Sequence, residues 1–96
     1  DMLVIRGENV YPSAIEEAIR AFVGELSGEF EIVVRKERHM DELIVRLEHE
    51  SPPEGYAGKL AAAVRTKVGI RPAIEFCDPN SLARTDLKSR RVRDER

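Results

Sequence analysis

The chain has 96 residues, 42% of them hydrophobic, and a formal net charge of −2. That length fits one small domain with a thin core, and no apolar run approaches the ~18 residues a membrane span needs. The single cysteine, Cys77, excludes an internal disulfide, and no cysteine or histidine sits at metal-ligand spacing from His39 or His49, so no metal site is expected and both histidines read as solvated.

The chain opens on Met2 to Ile5, an apolar run of strand length. Gly7 follows as a turn residue, and Pro12 suits the first position of a helix, where its missing N–H costs nothing. Glu16 and Glu17 are read as complementing the positive end of that helix. The helix is predicted from Pro12 to Glu25, with Ile15, Ala18, Ile19, Phe22 and Val23 recurring on one face. A second strand spans Phe30 to Lys36, with Phe30, Ile32 and Val34 inward and Val33 outward. Glu37 to Met40 form a polar turn. The third strand spans Glu42 to Glu48, with Leu43, Val45 and Leu47 inward and Ile44 outward, which makes an antiparallel hairpin.

Glu50 to Gly55 is a loop by composition. A second helix is predicted from Tyr56 or Ala57 to Val68, with a stripe of Leu60, Ala61, Val64 and Val68 and Gly69 as terminator. A last strand, Ala73 to Cys77, carries Ile74 and Phe76 on one face, and Cys77 reads as a buried, inert thiol. The order β-α-β-β-α-β predicts an α+β, ferredoxin-like fold, a four-stranded antiparallel sheet with two helices on one face. The expected core includes Phe22, Ile32, Val45, Leu47, Val64 and Phe76.

Charge is unevenly placed. Residues 84–96 carry six basic and three acidic groups, a charge of +3, and the remainder carries −5. A basic tail on an acidic body suggests an anionic partner for the tail. The body offers no stacking aromatics beside it, so nucleic acid is not expected. The plainest reading of tail charges such as Arg91 is solvation.

Two stretches carry a family resemblance. Asp1 to Ile19, "DMLVIRGENVYPSAIEEAI", resembles the opening of the C-terminal domain of the phenylacetate–CoA ligases, members of the acyl-adenylate-forming superfamily. "DPNSLARTDLKSRRVRDER", from Asp78 to Arg96, resembles that family's terminal Pro-Gly-Ser-Leu-Pro-Arg-Ser-x-Gly-Lys-x-x-Arg-Val. The two motifs lie at opposite ends of the chain at the expected separation. Leu87 stands where the family has glycine, and Ala83 where it has proline.

The resemblance implies that residues 1–96 are one mobile C-terminal lid domain of a larger cytoplasmic ligase. The chain does not begin with Met and is read as a piece of that longer protein. Its partner would be a large N-terminal adenylating domain. The whole enzyme would use ATP, Mg²⁺ and CoA on a small aromatic carboxylate, while the lid alone would bind none of them, touch no nucleic acid or membrane, and be inactive. A homodimer is possible. Lys88 would be the catalytic lysine of adenylation, with Arg84 as a nucleotide-facing basic residue of the same tail. Arg6, Gly7, Asn9 and Tyr11 would form the loop lining the CoA thiol channel after domain rotation. Two alternatives stay open: the lid of a related enzyme that adenylates another substrate, such as a deazaflavin, and a free-standing ferredoxin-like ligand-binding or regulatory module.

Overall fold

The computed structural model describes residues 2–23, 29–82 and 91–96. Its elements run β1 (Leu3–Ile5), β2 (Glu8–Val10), α1 (Pro12–Val23), β3 (Phe30–Glu37), β4 (Met40–Glu48), α2 (Tyr56–Val68), β5 (Ala73–Cys77) and β6 (Val92–Asp94).

The α+β class holds, with two helices and one four-stranded sheet of order β5-β4-β3-β6. The strand directions need correction: the sheet is mixed. Only the central pair is antiparallel, in register from Phe30↔Leu47 to Glu37↔Met40. β5 lies parallel to β4 (Val45↔Ile74) and β6 parallel to β3 (Ile32↔Val92). The cause is connectivity. α2 carries the chain back along the sheet between β4 and β5, and such a crossover delivers a parallel strand.

The opening strand also departs from expectation. Leu3–Ile5 does not join this sheet but folds back on Glu8–Val10 as a separate hairpin, paired Leu3↔Val10, Val4↔Asn9 and Ile5↔Glu8. Arg6 and Gly7 take φ of 51° and 77°. Positive φ at both central residues marks a mirror-image two-residue turn, whose twist matches that of the strands it joins.

α1 begins where Tyr11 offers its carbonyl to the N–H groups of Ala14 and Ile15. No acidic residue lies in its first turn. Glu16 serves other partners, Arg20 at 2.8 Å and Arg91 at 3.7 Å, so the dipole reading of this residue is replaced by ion pairing. α2 ends at Gly69, whose φ of 86° lets its N–H return to the Arg65 carbonyl.

The core lies between the helices and one sheet face. Ile15 and Ile19 of α1, Leu60 and Val64 of α2, and Ile32, Val45 and Leu47 of the sheet are fully buried, with Ile5 and Val10 of the hairpin sealing one end. Phe22 and Phe76 sit half-buried at its margin. There they join Tyr56 and His49 in an aromatic cluster with centroids 5.2–5.9 Å apart. His49 is therefore not a solvated side chain. Its Nδ1 accepts the Ser51 N–H at 3.2 Å, and its ring packs edge-on against two others. Cys77 is half-buried.

Val33 and Ile44, the two residues read as outward, are 0% exposed. They pair across the central strands on the face away from the helices. A lattice of long charged side chains covers them. Arg46 binds Glu31 at 3.2 Å and Glu75 at 2.9 Å, Arg35 reaches Glu75 at 3.7 Å, and Arg93 reaches Glu31 at 3.1 Å. The aliphatic stems of arginines on this face are suited to lie against apolar side chains, and the Arg35 Nε is itself buried.

Candidate functional site

The β1–β2 hairpin gathers four of the residues singled out from sequence. Strand alternation sends Leu3, Ile5 and Val10 inward, and leaves Val4 and Asn9 paired on the outward side, with Met2 and Tyr11 in phase with them. Met2, Val4 and Tyr11 are each about half exposed, and together with Met40 they are the exposed large hydrophobics of the described residues. Gly7 sits at the tip, and a Cβ built on it would meet nothing within 4 Å. The tip is open to whatever approaches it.

A charged hub fixes the hairpin to the main sheet. The Asp41 carboxylate accepts the Arg6 N–H at 3.3 Å, and the Arg6 Nε donates to the Asp41 carbonyl at 2.8 Å. Arg96 completes the hub. Its guanidinium donates to the Val4 carbonyl, to Asp41 at 3.1 Å, and to Asp94 through both Nε and Nη2 at 2.9 and 2.8 Å. These bonds hold the Asp94 carboxyl down to about 2. The Arg6 N–H, and after it the Arg96 charge, holds Asp41 below its ordinary value. Charge-assisted bonds to the ionised form are the cause in both.

Of the four loop residues, the structure therefore separates Arg6 from the rest. Its side chain is committed to the sheet, while Gly7, Asn9 and Tyr11 are exposed. Sequence reading missed Asp41, Met40 and Arg96. Asp41 and Met40 sit in what reads as an ordinary polar turn and strand edge, and no local spacing signals a contact with Arg6, 35 positions away.

Lys88 and Arg84 lie outside the described residues. Two described contacts flank them in sequence. The Leu82 N–H donates to the Glu48 carboxylate at 2.9 Å. Arg91 stands over the Phe30 ring at 4.9 Å, with its guanidinium 3.7 Å from Glu16 and from Glu29. Its side chain is 16% exposed, so it is packed rather than solvated as the tail reading expected.

A further feature is a groove of about 420 Å³ between the helices, walled by Ala18, Ala21, Phe22 and Ala63 and crossed by the Glu17–Lys67 pair at 3.2 Å. None of the predicted site residues lines it. Among the described residues no group of three His, Cys, Asp or Glu is placed to hold a metal ion, and no helix is long and apolar enough to cross a membrane.

The described residues form an α+β domain with an open hairpin beside its main sheet. The sequence profile of the AMP-binding enzyme C-terminal domain matches residues 7–96, and the chain belongs to that family. It is 32% identical to the phenylacetate-coenzyme A ligase of Aromatoleum evansii over its whole length, covering 24% of that protein. To the enzyme of the same name from Escherichia coli K12 it is 33% identical, over 98% of this chain and 23% of the other. The chain thus spans about a quarter of these relatives. Among solved structures, 2-hydroxyisobutyryl-CoA ligase in complex with 2-HIB-AMP and CoA, in the thioesterification state, superposes with a TM-score of 0.84. The identity is 40%, over 99% of this chain and 21% of that one. A domain of phenylacetate-coenzyme A ligase from Bacteroides vulgatus shares the fold, with a TM-score of 0.81 at 21% identity, over 98% of this chain and 92% of that one.

Proposed function

We propose that this chain is the C-terminal domain of an AMP-forming acid–CoA ligase that acts on aromatic carboxylates of the phenylacetate type. The observation that carries this reading is the outward face of the hairpin. A family member whose exposed apolar side chains Met2, Val4 and Tyr11 share the outward face of one hairpin has a surface suited to close approach by another body. In this reading that body is the large domain of the same protein, and the thin pantetheine arm of CoA passes along Gly7, Asn9 and Tyr11. Arg6 holds the hairpin rigid from behind through Asp41.

Lys88 acts in the other half-reaction. Attack of a carboxylate on the α-phosphate of ATP brings two anions together. An ammonium on a flexible stem offsets the negative charge that builds up in the transition state. Arg84 lies on the same segment and would face the nucleotide. Mg²⁺, which the full enzyme would use with ATP, finds no ligand cluster among the described residues.

The test uses the full-length protein. Lys88→Ala slows carboxylate-dependent pyrophosphate release by about 10²–10³-fold, and spares thioester formation from a supplied acyl-adenylate. Equal loss in both half-reactions would indicate a docking defect instead. No loss in either would overturn the assignment of Lys88.

A further inference from the structure

We infer that Asp41 and Arg96 are positioning residues for the thioester-forming half-reaction, orienting the β1–β2 hairpin so that Gly7, Asn9 and Tyr11 stand where CoA passes. The inference deepens the functional reading of the hairpin given above and rests on it.

A two-stranded hairpin with strands of three residues is marginal by itself. On its inner side Ile5 and Val10 are fully buried and root it in the core. Apolar burial is non-directional, so it sets the depth of the hairpin more than the direction of its turn. The turn is held by polar bonds. A two-residue turn leaves the N–H of its first residue outside the ladder. Here that group, on Arg6, donates to the Asp41 carboxylate at 3.3 Å. The Val4 carbonyl, one pair further from the turn, accepts from the Arg96 guanidinium, and so faces the outer edge of β1.

The two bonds meet at one carboxylate. The Asp41 Oδ2 that takes the Arg6 N–H also takes the Arg96 Nη1 at 3.1 Å. The Arg96 fork is itself set by Asp94, through Nε and Nη2 at 2.9 and 2.8 Å. Asp41 lies in the antiparallel central pair, opposite Lys36, and Asp94 lies in β6, opposite Val34. Two strands of the main sheet thus orient the hairpin. The side chains of Asp41 and Arg96 are only 17% and 21% exposed, so salt screens their attraction less than it would a fully wet pair. Neither residue touches CoA in this reading. Both act through the backbone of the loop that does.

In thioester formation the CoA thiol attacks the acyl carbon of the adenylate. A C–S bond forms, the C–O bond to the phosphate breaks, AMP leaves, and the thiol proton passes to solvent. A displacement of about 1 Å in what guides the reacting atoms can cost on the order of 10²-fold in rate. A hairpin released from Asp41 and Arg96 introduces such a displacement in this half-reaction, and not in adenylation, where it lines no path.

The experiment uses the full-length protein, with phenylacetate and ATP for pyrophosphate release and with phenylacetyl-adenylate and CoA for thioester formation. Asp41→Ala should slow thioester formation about 10-fold or more and leave pyrophosphate release within about 2-fold of the unaltered protein, which also reports an intact fold. Asp41→Asn, which keeps an oxygen for the Arg6 N–H but loses the charge facing Arg96, should fall between. Arg96→Ala should show the same split, and Arg96→Lys, which keeps the charge without the fork, a smaller one. Thioester formation within about 2-fold of the unaltered protein in Asp41→Ala, or equal losses in both half-reactions, would overturn the inference. A variant carrying Asn9→Ala and Tyr11→Ala separates the two ideas. Slowed thioester formation there, with none in Asp41→Ala, overturns the inference alone; no slowing in either overturns the reading of the hairpin as well.

Discussion

Ile44 tests the packing account most directly. Sequence alternation puts it on the wet side of the sheet; the structure buries it completely beneath Arg46, Glu31 and Glu75, against Val33. Ile44→Val removes one buried methylene, worth about 0.8 kcal/mol of transfer free energy. The space left behind adds a cavity contribution, and the measured range for this change is about 0.5–1.5 kcal/mol. Ile44→Ala should cost about 2–3 kcal/mol, near the low end for such truncations, because the arginine stems above it can settle into part of the space. In urea, a domain of this size loses roughly 1 kcal/mol of stability per molar denaturant. The Val variant should therefore lower the midpoint by about 1 M and the Ala variant by about 2–3 M, with unchanged slope. A midpoint for Ile44→Ala within about 0.5 M of the parent, the behaviour of an ordinary surface substitution, would refute the claim that charged side chains seal this face.

Arg91→Ala should destabilise the domain by about 1–2 kcal/mol, through loss of the cation–π contact with Phe30 and of the partly buried pairs with Glu16 and Glu29; Arg65→Ala, on an exposed helix position, should stay within about 0.5 kcal/mol in the same melt. Acid should loosen the hairpin: Asp94 is held at about 2 against an ordinary 3.8, so its bond to Arg96 contributes fully above about pH 4 and is lost as pH falls toward 2. Asp41 shifts in the same direction. Asp94 is 42% exposed, which keeps the effect below about 1 kcal/mol, yet the protection of the Arg6 amide, measured against its intrinsic exchange rate at each pH, should fall across that window, and protection that stays constant down to pH 2 would refute it.

Much of the architecture was legible from residue order alone. Helix periodicity, the Gly69 stop and the alternation of Phe30 to Val34 locate α1, α2 and the inner face of the central strands, because each reports burial on one side of a regular element. Three features were not legible, each for a physical reason. Glu8–Val10 is only three residues long, and Arg6 is an uncommon occupant of a left-handed turn position, so the hairpin has no ordinary signature. β6 offers a single apolar side chain, Val92, inside a run of charge. The outer sheet face defeats alternation altogether, since arginine and glutamate beside Val33 and Ile44 look the same whether they dangle in water or lie across the strands. For the candidate site, the exposed hairpin loop was readable from its motif, whereas its anchoring at Asp41 and Arg96 depends on contacts that only the folded chain creates.

The parallel pairing of β3 with β6 also bears on the order in which the molecule assembles. The β3–β4 pair closes a two-residue loop, and β5 joins after one helix, but Ile32 and Val92 are sixty positions apart. Closing so long a loop is entropically unrewarded until the rest of the sheet exists to receive it. β6 should therefore dock after the rate-limiting barrier, and the clasp around Arg91 with it. Val92→Ala should then leave the refolding rate nearly untouched and appear almost entirely as faster unfolding in a denaturant chevron; a matching slowdown in refolding would put this strand in the nucleus. Late docking makes the end of the chain the part that opens first, a local and reversible release that spares the central hairpin.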